Sequence, residues 1–346
     1  MKYKLLSIRL AQQKECNIGD YIQALASSQF LPSIDGFVNR EQLKSYNGEE
    51  CKMIMNGWYI HNPTQWPPSE KINPLFVAVH FNSSVIDKLL SDESIAYLKK
   101  FAPIGCRDYY TAEQLNRKGV KAYFSACMTL TLGYKYKSNV RDNKCYFVDP
   151  TFKTEKNIGS LCKNLSYFIL NWKSISKIAK KYPSNENFFK KNLKLSVFYR
   201  EYSRFFSKET LLNAEYICQQ SVYYRTTFET DKERLEEAER LVRKYARARL
   251  VVTSRIHCAL PCLGLETPVI FTDLATQNMV DTCRFGGLRE LFSVIAWKNG
   301  KLSPEFDIKD KLSINNLPQN KENWRIYAEQ LISTCSLFFN SHKRSN

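Results

Sequence analysis

The stretch Leu250-Val251-Val252-Thr253-Ser254-Arg255-Ile256-His257-Cys258-Ala259-Leu260-Pro261 decides how this chain is read. Leu250 to Thr253 is a short apolar, β-branched run, the pattern of a strand buried on both faces. Two polar residues later Ile256, Ala259, Leu260 and Leu263 recur at helical spacing. A strand running straight into a helix is the unit of a parallel sheet, and such sheets bind ligands beyond the carboxyl ends of their strands. Ser254, Arg255 and His257 stand at that position. A helix N-terminus offers free amides, Arg255 a fork that matches phosphate or carboxylate, and His257 a proton carrier near neutral pH. The plainer reading has Ser254 capping the helix and Arg255 and His257 making surface hydrogen bonds; pattern alone leaves both open.

Outward from this unit the alternation continues. Residues 269–272 form the next strand, 231–246 an acid-started amphipathic helix, 214–218 a strand and 144–149 another. In the N-terminal part, 3–10 reads as a strand and Tyr21, Ile22, Leu25 and Ala26 as a helix face. Further strands are expected at 51–55, 75–81 and 120–124, and helices at 95–101 and 111–117, the latter starting at a Thr111 cap. The polar stretch 137–143 is the expected domain boundary. Three parts result: an N-terminal domain over 1–140, a C-terminal domain over 141–318, and a C-terminal helix from 321 with a frayed tail, 319–346 together. The expected class is α/β.

The chain has 346 residues, enough for two domains and sizeable cores. Its 51 basic against 34 acidic residues leave a formal charge of +17, which favours an anionic partner. The segment 171–210 concentrates this, with ten Lys or Arg against three Glu and aromatics interleaved. It lacks a nucleic-acid reading motif, and a membrane-surface segment is the favoured reading over a nucleic-acid surface. No signal-peptide core is readable at 1–10 and no eighteen-residue apolar run occurs, so a cytoplasmic chain with reduced thiols is expected. Cys258 and Cys262 form a lone CxxxC, read as buried small hydrophobes rather than a zinc site; no metal is expected.

Other residues at strand ends are candidates of the same kind. Gly19 and Asp20 follow the first strand, where Gly19 admits close approach and Asp20 caps the helix or meets a sugar hydroxyl. Arg107 and Asp108 form either a local ion pair or part of an anion site. Asn56 begins a turn signal, and His80 is satisfied as a buried histidine. Neither GxGxxG nor a P-loop occurs, so neither a dinucleotide nor a Walker-type site is supported.

The run from Ser254 to Pro261, with Gly264-Leu265-Glu266-Thr267-Pro268-Val269-Ile270, resembles the polysaccharide pyruvyl transferase family, whose hallmark is an S-R-[ILF]-H helix start followed by a G-x-P-V strand. Asn17 to Ala26, Asn56-Gly57-Trp58, Pro103 to Asp108 and Phe124 to Leu132 look like a bacterial, glycan-assembly branch of that family. The resemblance implies two Rossmann-like domains facing across a cleft, as in GT-B glycosyltransferases. It implies transfer of the enolpyruvyl skeleton of phosphoenolpyruvate, as co-substrate and with no further cofactor, onto two hydroxyls of a sugar as a cyclic ketal. On that view His257 is the acid/base or the phosphate-side donor. Ser254, Arg255 and Arg107 bind the donor, and Gly19, Asp20, Asn56 and His80 lie on the acceptor side, with Asp20 a base or hydroxyl partner. The acceptor in such pathways is a sugar on a lipid diphosphate, which would bring the protein to the inner face of the cytoplasmic membrane, with no nucleic acid as partner. A nucleotide-sugar glycosyltransferase is the alternative, since an Arg/His anion site also suits a diphosphate leaving group; a basic scaffold protein rests on charge alone.

Overall fold

The structure is a computed structural model, and it describes residues 1–8, 14–154, 157–274 and 283–340. Residues 9 and 10 of the expected first strand, and the tail expected to fray, lie outside the described residues.

Six parallel tracks form the N-terminal sheet system. Lys2–Tyr3 and Leu5–Ser7 make the first track and Phe37–Asn39 the second. Cys51–Ile54 with Gly57–Tyr59 is the third, Ile72–Leu75 with Val79–Phe81 the fourth, Ile104–Cys106 the fifth and Ala122–Phe124 the sixth. The apolar run 75–81 is thus not one strand: it breaks at residues 76–78, where Ala78 takes a left-handed φ of 55°. Pairing register gives the order second, first, third, fourth, fifth, sixth.

The C-terminal sheet repeats that order in one piece. Its tracks are Cys145–Val148, Glu215–Ile217, Leu250–Thr253, Val269–Asp273, Ser293–Lys298 and Lys301–Pro304, ordered second, first, third, fourth, fifth, sixth, and only the last is antiparallel. In each sheet the order reverses between the first and third tracks, which opens a crevice at the strands' carboxyl ends. The two crevices face each other, so the molecule is an α/β fold of two Rossmann-like halves across a cleft, GT-B-like as expected.

The seam between the halves is not bare. Cys16–Asn17 pairs antiparallel with Gln220–Ser221, and the Ile18 amide donates to the Gln219 carbonyl at 2.9 Å. The helix Ile18–Ser28 packs on Asp231–Arg247, and one apolar cluster runs from Leu5 through Ala259 to Phe339. The expected linker is pinned by Arg141, whose guanidinium donates to the carbonyls of Ala246, Leu265 and Glu266 at the ends of two helices. The closing helix starts at Arg325, not at 321, and returns to the N-terminal half: Tyr3 meets Phe339 edge-on at 5.8 Å, and Lys52 Nζ donates to the Phe338 carbonyl at 3.1 Å.

The basic, aromatic segment is mostly helical: Ile158–Lys181 and Phe188–Tyr202 pack on each other and cover one face of the C-terminal sheet. Phe198, Tyr199, Tyr202 and Phe206 are buried core, so that part of the aromatic signal is packing rather than surface.

Candidate functional site

A cleft of about 450 Å3 lies between the facing strand ends. Each sheet supplies its walls from residues at or just past its strands: Arg40, Trp58, His61 and Arg107 from one, Thr151, Gln219, Ser254 and Asp273 from the other.

The helix Ile256–Gly264 sets up His257 by a local device. Arg255 is its N-cap, with no side-chain cap bond, and the first turn is irregular at His257, with φ −83° and ψ 19°. Pro261 has no amide proton to give the carbonyl four residues back, which is that of His257. Gln219 Nε2 takes up this carbonyl instead, at 3.5 Å. The imidazole is buried, Nε2 has no hydrogen-bond partner among the described residues, and Nδ1 lies against Gly19. A Cβ at Gly19 would stand 3.2 Å from His257 Cβ and 3.0 Å from Asn17 Oδ1, so glycine lets the two halves close here. Burial holds the His257 pKa well below its ordinary 6.5, and the guanidinium groups of Arg107, Arg284 and Arg255 push the same way. The ring is neutral at pH 7.

Asp20 faces the same cleft. It does not cap its helix: the helix begins at Ile18, and Asn17 Oδ1 accepts from the Gly19 amide at 3.1 Å, which releases Asp20 into the first turn. Burial raises its carboxyl pKa above the ordinary 3.8, against the pull of Arg40, Arg107, His61 and Arg255.

Arg255 is held rather than free. Its Nε donates to Asp149 Oδ2 at 2.7 Å, and the same carboxylate oxygen accepts from the Gln219 amide at 2.9 Å. Ser254 does not cap the helix either; its hydroxyl donates to the Asp149 carbonyl at 2.5 Å. Asp149 takes a left-handed φ of 43°, a conformation rare for a residue with a Cβ and common where a site demands it. Arg107 is buried, its Nε without a partner among the described residues. No Arg107–Asp108 ion pair forms: Asp108 caps the helix Tyr109–Arg117, accepting from the Thr111 amide at 2.8 Å, and takes His80 Nδ1 at 2.6 Å. The cap is therefore Asp108 and not Thr111.

Asp20, Arg107, Ser254, Arg255 and His257 thus line one cleft, with Gly19 packed against His257. Two candidates lie elsewhere. His80 is buried with Asp108, and burial lowers its pKa while the Asp108 bond raises it. Asn56 is buried behind the first helix, accepting from Ser27 at 2.9 Å and donating to the Gln23 carbonyl at 3.2 Å. Neither lines the cleft. Arg40, His61, Asp149 and Arg284 escaped sequence reasoning. Asp149 follows Tyr146-Phe147-Val148 and Arg40 follows Phe37-Val38-Asn39, so the rule that singled out Ser254 also points to them. Cys258 and Cys262 are buried, and no cluster of three or more metal-ligating groups occurs among the described residues.

Fold and site together define a two-halved α/β protein with a cationic cleft at paired topological switch points. The sequence profile of the polysaccharide pyruvyl transferase family matches residues 17–274, most of the chain and the cleft lining from Asn17 to Leu274. The chain belongs to that family, and so to transferases of polysaccharide biosynthesis. Among curated proteins none matches. The solved structure of E. coli heptosyltransferase WaaC with ADP is similar over 97% of this chain and 100% of that one, at 13% identity and a TM-score of 0.32, too loose a likeness to carry an argument.

Proposed function

We propose that the cleft transfers the three-carbon skeleton of phosphoenolpyruvate onto two hydroxyls of a sugar in a polysaccharide precursor, forming a cyclic ketal and releasing phosphate. The observation that carries this reading is the neutral His257, its Nε2 unpartnered among the described residues, set among Arg107, Arg255 and Arg284 in a chain of this family. The donor carries a phosphate and a carboxylate, and guanidinium groups beside a helix N-terminus suit both. The first hydroxyl adds to C2 while C3 gains a proton. The second hydroxyl then displaces phosphate from C2 and closes the ring, its proton leaving with the phosphate. His257, kept neutral, takes the hydroxyl proton; Asp20, whose raised pKa favours the protonated form, is the acid toward C3. Arg255, aimed by Asp149, and Arg107 hold the donor and neutralise the leaving phosphate. The acceptor is a sugar of the kind carried on a lipid diphosphate, met at the inner face of the membrane.

The test is ligand-dependent thermal stabilisation by phosphoenolpyruvate against UDP-, GDP- and CMP-sugars, in wild type and Arg255→Ala, followed by phosphate release with a sugar acceptor. Phosphoenolpyruvate alone should stabilise, and the gain should vanish in Arg255→Ala. In His257→Ala, phosphate release should fall about 100- to 10,000-fold with the melting temperature nearly unchanged. Stabilisation by a nucleotide sugar in place of phosphoenolpyruvate would overturn the reading in favour of glycosyl transfer.

A further inference from the structure

The first half of the helix Ile158–Lys181 buries almost nothing: of residues 158–170, Asn164 is the single one classed as buried. Ile158 is 81% exposed, Ile169 61%, Leu170 82% and Trp172 55%, with Leu161 and Leu165 exposed as well. Positions 158, 161, 165 and 169 follow the helical repeat, so they form one stripe, and Trp172 follows just past a kink at Asn171, where φ is −120° and ψ 20°. Such a continuous apolar stripe on a folded surface marks something that covers it. The charge around it says what. From 157 to 185 there is no Asp or Glu, while Lys163, Lys173, Lys177, Lys180 and Lys181 are all exposed. The next helix adds exposed Phe188 and Phe189 at its start, and an apolar groove of about 380 Å3 beside Ile158 and Leu161 is rimmed by Lys190 and Lys194, each paired with Glu186 at 3.6 Å. The helix is not apolar enough to cross a bilayer. An unpaired apolar stripe, a tryptophan and, over 157–185, lysines with no acid in the same segment are what an interfacial helix needs: side chains for the acyl boundary and cations for anionic headgroups.

We infer that the 158–173 face docks flat on an anionic lipid surface. The docking stands on this surface and not on the chemistry of the cleft.

Co-sedimentation of the full chain with vesicles of phosphatidylglycerol and phosphatidylcholine, against phosphatidylcholine alone, tests it. The anionic vesicles should bind at least about tenfold more tightly, and about 0.5 M salt should release most of the protein. The triple variant Leu165→Ser/Ile169→Ser/Trp172→Ser and the charge variant Lys173→Gln/Lys177→Gln/Lys180→Gln should each lose about tenfold or more with unchanged melting temperature. The wild-type salt series needs no variant to fold. Equal binding to both vesicle types, no binding, or variants that bind like wild type would overturn the docking. So would a wild-type dimer that the apolar triple variant turns into monomer without vesicle binding, which would assign the stripe to a second copy of this chain.

Discussion

Arg107 and His257 are far apart in sequence, and their pairing is the sharpest consequence of the cleft at the residue scale. The Arg107 charge lowers the His257 pKa, so removing it must raise that pKa. A base whose pKa rises becomes protonated sooner as pH falls. Arg107→Met should therefore shift the acid limb of kcat/KM to higher pH, besides weakening donor binding; a pH–rate profile checks it, and an unmoved limb would separate the two residues. Asp149 aims Arg255 through Oδ2. Asp149→Ala should cost about 10- to 100-fold in kcat/KM for the donor, as misplacement of a binding group does, whereas Asp149→Asn, which keeps an acceptor and tolerates a left-handed φ, should recover much of it. Steady-state kinetics on the two variants would show whether the carboxylate acts by position.

At the scale of elements, the helix that carries His257 is seated by glycines. A Cβ at Gly264 would lie 2.2 Å from the Leu130 carbonyl oxygen, and one at Gly133 1.9 Å from that of Gly264. The short turn Met128–Leu132 and the helix Ile256–Gly264 therefore touch backbone to backbone. Both partners of each contact are rigid main chain, so Gly264→Ala should destabilise by about 3 kcal/mol, at the upper end for overpacked cores. Chemical denaturation measures it, and a loss below about 0.5 kcal/mol would mean that the contact can relax. Local pattern located eight of the twelve tracks and this helix, because apolar periodicity reports which face is buried, but named no strand at 37–39, 104–106, 293–298 or 301–304. It misjudged the caps at Asn17 and Asp108, since several capping residues stand within one turn and the tertiary partners of Asp20 and Thr111 decide among them. It also left 151–213 without elements, where the lysines and exposed apolar residues blur the period.

Each half keeps an apolar cluster of its own, and a third cluster spans both halves and is closed by the helix Arg325–Asn340. Two independent domains would melt in two steps; here the shared core should give a single calorimetric transition. Ending the chain after Trp324 removes Ala328, Leu331, Cys335 and Phe339 from that core and strips cover from Tyr3 and Met128. At roughly 1.5–3 kcal/mol per large buried side chain the loss is comparable with the total stability of a domain. The truncated chain should lose the tertiary signals of both halves together, as near-ultraviolet circular dichroism would register; a folded remnant of either half would contradict the shared core.

The sequence by itself determined the α/β alternation, the likeness to a family of transferases, and the Ser254-Arg255-His257 helix start, because strand and helix periods and the residues at strand ends are local properties. It did not decide which strand ends share a cleft. Asp20 and Arg107 came to His257, and His80 and Asn56 stayed outside the cleft lining, only when two sheets of the same strand order met crevice to crevice. Nor did it set the neutral state of His257, since desolvation and the field of Arg107, Arg255 and Arg284 depend on who is near in space. Local pattern encodes which face of an element is buried; what lies against that face is settled by contacts between residues hundreds of positions apart.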